Sequence, residues 1–231
     1  MPKIASGNEK FEEKYFKGWF KGAVGNFSRQ DLEYSRRWFW GWLRELNKYV
    51  DVKNGKGKNV LEIGCSIGGV ASLLKENGFN VWASDVSEYA VKRAKKLSPY
   101  IQFSTFDVQK GIPMKQKFDF IIAFEVVEHL KNPESALRNM YDSLKKGGTL
   151  VFSTPYPYSW VYDDPTHINV RRPAEWMSIM KDVGLKGSSY HKFSLMPYFY
   201  RYNKNFHIIL PFHIPVRYIN TPIFYIGKKN V

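Results

Sequence analysis

The run Val60-Leu61-Glu62-Ile63-Gly64-Cys65-Ser66-Ile67-Gly68-Gly69 places an acid two residues ahead of a glycine-rich turn. Glycine lets a backbone approach a ligand with no Cβ in the way. Two ligand classes use such a turn between a strand and a helix. A dinucleotide site, G-x-G-x-x-G, seats a pyrophosphate on the helix N-terminus. Here the spacing is Glu62-x-Gly64-x-Ser66-x-Gly68, and a carboxylate at its head disfavours a pyrophosphate. It suits a ligand carrying an ammonium and a sulfonium. Asp85 follows 21 positions after Gly64, at the end of Val81-Trp82-Ala83-Ser84. A carboxylate there can accept hydrogen bonds from ribose hydroxyls, a feature that dinucleotide sites share. Asp107 follows a strand read at 101–106, placed to receive an adenine amino group.

Acid–base candidates come later in the chain. Asp163-Asp164-Pro165-Thr166-His167-Ile168-Asn169 follows an apolar run, and His167 can serve there as a base or as a group that orients an acceptor. The competing reading is a turn in which Asp caps the backbone and His is an ordinary loop residue. His129, in Glu125-Val126-Val127-Glu128-His129, can reach an acceptor or can pin its loop through a backbone hydrogen bond. Tyr156, Tyr158 and Trp160 either wall an acceptor pocket or pack loop against sheet. Cys65 reads as a small residue that fits the turn. As the single cysteine it excludes a disulfide framework and a Cys-based zinc cluster, and no metal site is expected.

These residues need a scaffold that brings strand ends together. Between residues 58 and 154, strands read at 59–63, 80–84, 101–106, 118–124 and 149–153 alternate with amphipathic stretches at 68–77, 88–97 and 133–144. Alternation of this kind implies crossover units and a parallel sheet covered on both faces. A helix at 173–183, closed by Gly184, and strands at 186–193 and 221–227 complete the pattern. Ahead of it, Phe11, Tyr15, Phe16, Trp19 and Phe20 recur at helical spacing, Gly22 and Gly25 break the pattern, and a second helix spans 31–50.

Residues 58–154 resemble the class I S-adenosylmethionine-dependent methyltransferases, in particular the broad type 11 small-molecule group. The matching stretches are 61–68, 81–85, 106–108, 118–130 and 144–154. The resemblance implies an α/β, doubly wound, Rossmann-like sheet of seven strands in the order 3-2-1-4-5-7-6, helices on both faces. It divides the chain into an N-terminal helical cap, 1–57, and a methyltransferase core, 58–231, with an aromatic-rich insert at about 195–218. It implies S-adenosylmethionine as cofactor and S-adenosylhomocysteine as product. Glu62, Gly64, Ser66 and Gly68 would hold the methionine part, Asp85 the ribose and Asp107 the adenine, with Phe124 packing on the cofactor. Ser66 stands where the family has glycine. His167 and His129 would be catalytic, and Tyr156 and Trp160 would bind the acceptor, with transfer expected at oxygen. Arg36 and Arg37 are placed to reach the cofactor carboxylate.

Composition narrows the partners. The 231 residues carry 35 basic and 21 acidic side chains, a net charge of +14. That leaves an acidic or lipid-linked acceptor open. Nucleic acid is disfavoured: the charge is spread along the chain, and no RNA-binding motif or Asn/Asp-Pro-Pro-Tyr signature is present. The alternatives to a small-molecule enzyme are a nucleic-acid methyltransferase and a non-catalytic S-adenosylmethionine-binding module. No apolar run approaches the roughly 18 residues of a membrane span. A cytoplasmic monomer or homodimer is the expectation, the first helix lying over the site or on an anionic membrane.

Overall fold

Asn59–Ile63 (β1), NVLEI, is half-buried at Asn59 and buried from Val60 on, and Glu62 is the one polar side chain in its buried part. In a computed structural model of the chain, which describes Phe11, Tyr15 and residues 27–196 and 199–230, β1 lies at the centre of a seven-stranded sheet. Its order is β3-β2-β1-β4-β5-β9-β6, with β2 at Asn80–Asp85, β3 at Gln102–Thr105, β4 at Phe118–Phe124, β5 at Leu144–Pro155, β6 at Lys186–Lys192 and β9 at Pro222–Lys228. β1 to β5 are parallel; β9 runs antiparallel between β5 and β6. This is the expected order, the last strand being β9 because the insert adds a hairpin of β7 (Ser194–Met196) and β8 (Ile208–Leu210). The chain reverses direction of growth between β1 and β4, so a crevice opens where those two strands end.

The helices are α1 (Arg29–Leu46), α2 (Gly69–Glu76), α3 (Glu88–Leu97), α4 (Pro133–Ser143) and α5 (Pro173–Val183). Local signals set their ends. Ser28 caps α1 in a reciprocal box with Asp31, each side chain taking the other's amide. Asn132 caps α4 ahead of Pro133, and Gly184 closes α5 in the left-handed conformation. Two elements differ from the sequence reading. α1 ends at Leu46 rather than 50, because the Asn47 side chain leaves the helix to accept the Val52 amide at 3.2 Å. β5 begins five residues early, at Leu144, in an irregular lead-in where its pairing with β4 shifts register.

α1 belongs to the core. Trp42, Leu43 and Leu46 share one cluster with Val60, Leu74, Phe124, Phe193 and Phe224. Trp42 lies within 5.3–5.8 Å of the Phe124, Phe193 and Phe224 rings. A second cluster on the other face joins α4 and α5 to the sheet through Met140, Trp176 and Tyr225. Of the expected first helix, only Phe11 and Tyr15 lie among the described residues; Phe16, Trp19, Phe20, Gly22 and Gly25 lie outside them. No helix among the described residues is long and apolar enough to cross a membrane.

Candidate active site

The turn after β1 is built for close approach. Gly64 (φ +75°) and Gly68 (φ +87°) take left-handed conformations that favour glycine, and Gly68 opens α2. A Cβ on Gly64 would lie 2.4 Å from Val126 Cγ2. Ser66 also has positive φ, +46°. Its amide donates to Asp85 Oδ2 at 2.8 Å, while Ser87 N donates to Asp85 Oδ1 at 3.0 Å. Asp85 therefore braces the serine-bearing turn from the neighbouring strand end. Asp107 caps a short 3₁₀ turn, accepting from the amide and side-chain nitrogens of Gln109 at 3.0 and 3.1 Å.

Glu62 is 5% exposed. The Ala71 amide donates to it, and its Oε2 has no partner among the described residues. Burial pushes its carboxyl well above the usual range, with the charge of Asp85 adding to the shift. A buried carboxyl left short of a cation, beneath a glycine cradle, fits a ligand ammonium. The residues present thus suit S-adenosylmethionine: the turn and Glu62 for the amino-acid part, Asp85 and Asp107 for the nucleoside. Cys65 is buried and its thiol is pushed up by burial and by Asp85 and Glu62, so it holds its proton.

Phe124 is placed otherwise than in a cofactor wall alone. Its ring packs among Phe39, Trp42 and Phe224. The side chain that meets Gly64 is Val126, which the sequence reading did not single out. Arg36 and Arg37 also turn elsewhere: Arg36 bonds Glu33, Ser72 and Glu76, and Arg37 bonds Glu33 and the carbonyls of Arg201 and Tyr202.

Across the crevice, β4 and β5 deliver a polar cluster. Glu125 sits at φ +53°, a costly conformation for a non-glycine residue. Ser153 Oγ holds it, accepting from its amide at 3.0 Å and donating to its Oε1 at 2.9 Å. Burial raises the Glu125 carboxyl to about 7. Glu128 is fully buried, both carboxyl oxygens lack partners among the described residues, and burial together with Glu125 holds it well above the carboxylate range. Its carbonyl accepts from Ile168 and Asn169, which docks the Asp163–Asn169 loop beside it.

His129 and His167 are brought together, ring centroids 4.8 Å apart. Thr166 Oγ1 lies 2.6 Å from Asp164 Oδ1 and 2.9 Å from His129 Nδ1. With the threonine proton given to the carboxylate, His129 Nδ1–H donates to Oγ1, and Nε2 is the nitrogen that can take a proton. His167 Nδ1 lies 2.7 Å from the Val161 carbonyl, and its Nε2 is 3.7 Å from Asp164 Oδ2. Burial works to raise Asp164, but the Thr166 hydroxyl and amide, with His167 and His129, hold it below the usual carboxylate range. Glu128, His129 and His167 present ligand atoms within 4.8 Å of one another, a grouping that could hold a cation and that the sequence reading did not anticipate.

Tyr15 reaches into this cluster from the N-terminal segment. Its hydroxyl hydrogen-bonds the Thr166 side chain, and burial, then the charge of Asp164, pushes its phenol up. Phe11 meets the His129 ring edge-on at 5.7 Å. In sequence Tyr15 was one aromatic in a helical stripe; nothing in its spacing marks it apart from Phe16 or Phe20. Tyr156 and Trp160 flank Tyr158, at centroid distances of 4.7 Å each. Tyr156 also packs on His213 of the insert at 5.5 Å, so the insert meets the loop after β5.

Known proteins share this fold. Residues 34–190 match a family model described as a methyltransferase domain. A ubiquinone biosynthesis O-methyltransferase of Coxiella burnetii is 33% identical over 112 residues, 46% of this chain and 48% of that protein. A mitochondrial protein of the same description from Schizosaccharomyces pombe is 31% identical over 105 residues, 42% of this chain and 38% of that protein. The alignments thus span about half or less of these curated relatives. Among solved structures, a SAM-dependent methyltransferase from Archaeoglobus fulgidus superposes with TM-score 0.63 at 21% identity, covering 84% of this chain and 94% of that one. Phosphoethanolamine N-methyltransferase 2 of Haemonchus contortus gives 0.63 at 15% identity, covering 94% of this chain and 60% of that one. The family match runs from the second turn of α1 into β6, across every strand end that forms the crevice, and the protein belongs to the methyltransferase-domain family in its class I, S-adenosylmethionine-dependent form.

Proposed function

We propose that the protein transfers a methyl group from S-adenosylmethionine to an oxygen of a small or medium-sized acceptor. The observation that carries the choice of oxygen is the proton-accepting cluster beside the donor turn: His129, Thr166 and Asp164 in one hydrogen-bonded line, with His167 at its flank. A hydroxyl carries a proton that must leave as the new bond forms, and a positioned base is worth about 10²–10⁴ in rate. The O-methyltransferases among the relatives agree with this reading.

When bound, the cofactor supplies an electrophilic methyl, and the protein's work is orientation and proton handling. Glu62 takes the ammonium, Gly64, Ser66 and Gly68 cradle the amino-acid part, Asp85 and Asp107 hold the nucleoside, and Phe124 backs the site from the core. His129 accepts the acceptor's proton at Nε2, its ring held by Thr166. His167 keeps Asp164 in place as the partner of that line. Tyr156 and Trp160 wall the acceptor side. Among the described residues of the N-terminal zone, α1 is a fixed part of the cap over the site, and Tyr15 with Phe11 faces the cluster. Holding the acceptor at attack distance supplies much of the acceleration.

The test is label transfer from methyl-tritiated S-adenosylmethionine to matched catechol, sugar-hydroxyl and amine acceptors. Labelled ether formation that falls in His129→Gln supports the reading. Labelling of amines alone, undiminished in His129→Gln, overturns it.

A further inference from the structure

Between Val183 and Asn230 the chain carries seven basic residues and no acidic one. Within that stretch the insert displays apolar side chains to solvent. Of twelve large hydrophobic residues that are exposed among those described, seven fall between Phe199 and Tyr218. Tyr202 is 82% exposed and Tyr218 79%, with Phe199, Phe206 and Phe212 more than half exposed. Exposed apolar patches of this kind mark interaction surfaces.

The patch is held from beneath, so its exposure is not that of a loose loop. β7 and β8 pair, Arg44 donates to the His207 carbonyl at 2.9 Å, and Tyr200 packs on Trp38 at 5.3 Å. The cation of Lys204 sits 4.4 Å from the Trp40 ring. His207 fills the space over Gly41, where a Cβ would lie 2.8 Å from its ring. The insert is thus a fixed shelf on α1, joined at His213 to the loop after β5 and so to the mouth of the crevice.

We propose that this shelf docks on an anionic lipid bilayer, its aromatic tips entering the headgroup region and the exposed Arg201 and Lys204, the latter at the edge of the Trp40 ring, meeting lipid phosphates. Aromatic side chains favour the water–membrane interface, and basic residues are drawn to anionic leaflets. Charge decides against a second copy as occupant: the stretch itself supplies no acid, Asp163 beside it is already paired with Arg217 at 2.6 Å, and two such faces on a +14 chain repel. Aliphatic exposure decides against nucleic acid: Ile208 and Val216 gain from acyl chains and gain nothing from stacking on bases. The surface stands apart from the methyl-transfer reading, and its test does not use turnover.

The experiment is cosedimentation of the full chain with vesicles of phosphatidylcholine alone and of phosphatidylcholine with phosphatidylglycerol, alongside gel filtration and binding to poly(U). The expected result is partition onto the anionic vesicles that weakens with salt. Arg201→Gln with Lys204→Gln lowers partition about thirtyfold, at about fivefold per cation. Tyr202→Ser with Phe206→Ser lowers it at low and at high salt alike. Circular dichroism and retained S-adenosylhomocysteine binding confirm that each variant is folded, and Tyr218→Ser serves if either pair is not. Equal partition onto both vesicle types, none onto either, or anionic binding unchanged in all variants overturns the proposal. So does a dimer lost in Tyr202→Ser with Phe206→Ser, or binding to poly(U) in place of vesicles.

Discussion

Replacing Glu62 by Gln removes one charge from the floor of the cofactor turn and changes little else in shape. In the free protein Glu62 is buried, takes one amide bond from Ala71, and has no cation beside it among the described residues. A hydrogen bond to a charged partner contributes about 1.5–3 kcal/mol. At about 1.4 kcal/mol per tenfold, S-adenosylhomocysteine affinity should fall about 10- to 150-fold in calorimetry. The pH dependence carries a second, independent sign. The folded-state pKa is raised above the ordinary 4.5, so as pH rises past that value the unfolded chain ionises first and folding stability declines. Bound ammonium favours the ionised carboxylate, so ligand binding should release a proton, seen as a buffer-dependent binding enthalpy. Glu62→Gln should lessen the decline by Glu62's share and remove the proton release. Unchanged affinity, or the same proton release on binding in the variant, would refute the assignment of Glu62 to the ligand ammonium.

Four further outcomes follow from the geometry. Asp85→Ala frees the Ser66 and Ser87 amides together and should weaken S-adenosylhomocysteine binding at least about tenfold, two lost charge-assisted bonds being the cause; calorimetry reads it. Gly64→Ala pushes a Cβ to 2.4 Å from Val126 Cγ2 at a left-handed φ, and should lower Tm by several degrees in calorimetric scans, about 1–2 kcal/mol at about 2–4 °C each. Tyr15→Phe should lower kcat about fivefold with cofactor affinity retained, since one neutral hydrogen bond to Thr166 is lost at about 1 kcal/mol. The Glu125 carboxyl, raised to about 7, should make folding stability fall between about pH 4.5 and 7; Glu125→Gln should flatten that fall in denaturant titrations across the range.

The parts of the molecule set by local chemistry were legible in the sequence. The alternation of β1 to β5 with α2 to α4, the Asn132-Pro133 start of α4 and the Gly184 end of α5 all express themselves in residues a few positions apart. So did the sheet order, once the Glu62–Gly68 turn and the strand-end acids had suggested the family. What was not legible depends on contacts across long separations. Val126 matters because the turn after β1 lies under it, 62 positions upstream at Gly64. Thr166 matters because its hydroxyl falls between Asp164 and a histidine 37 positions earlier. Tyr15 reaches Thr166 through the tertiary fold alone. Arg36 and Arg37 were drawn toward the cofactor by charge, but Glu33 on the same helix face and Glu76 on α2 claim them first. Early termination of α1 turned on one side chain, Asn47, whose preference for its own backbone outweighs a helical pattern that runs on through Tyr49 and Val50.

Methyl transfer at this site requires the two sides of the crevice to face one another across a bound cofactor. A crystal structure of the protein with S-adenosylhomocysteine tests this most directly. It should show the ligand ammonium on the Glu62 carboxylate, the ribose at Asp85, and the sulfur directed toward His129 and His167. An ammonium placed away from Glu62, or a sulfur turned from the two histidines, would contradict it.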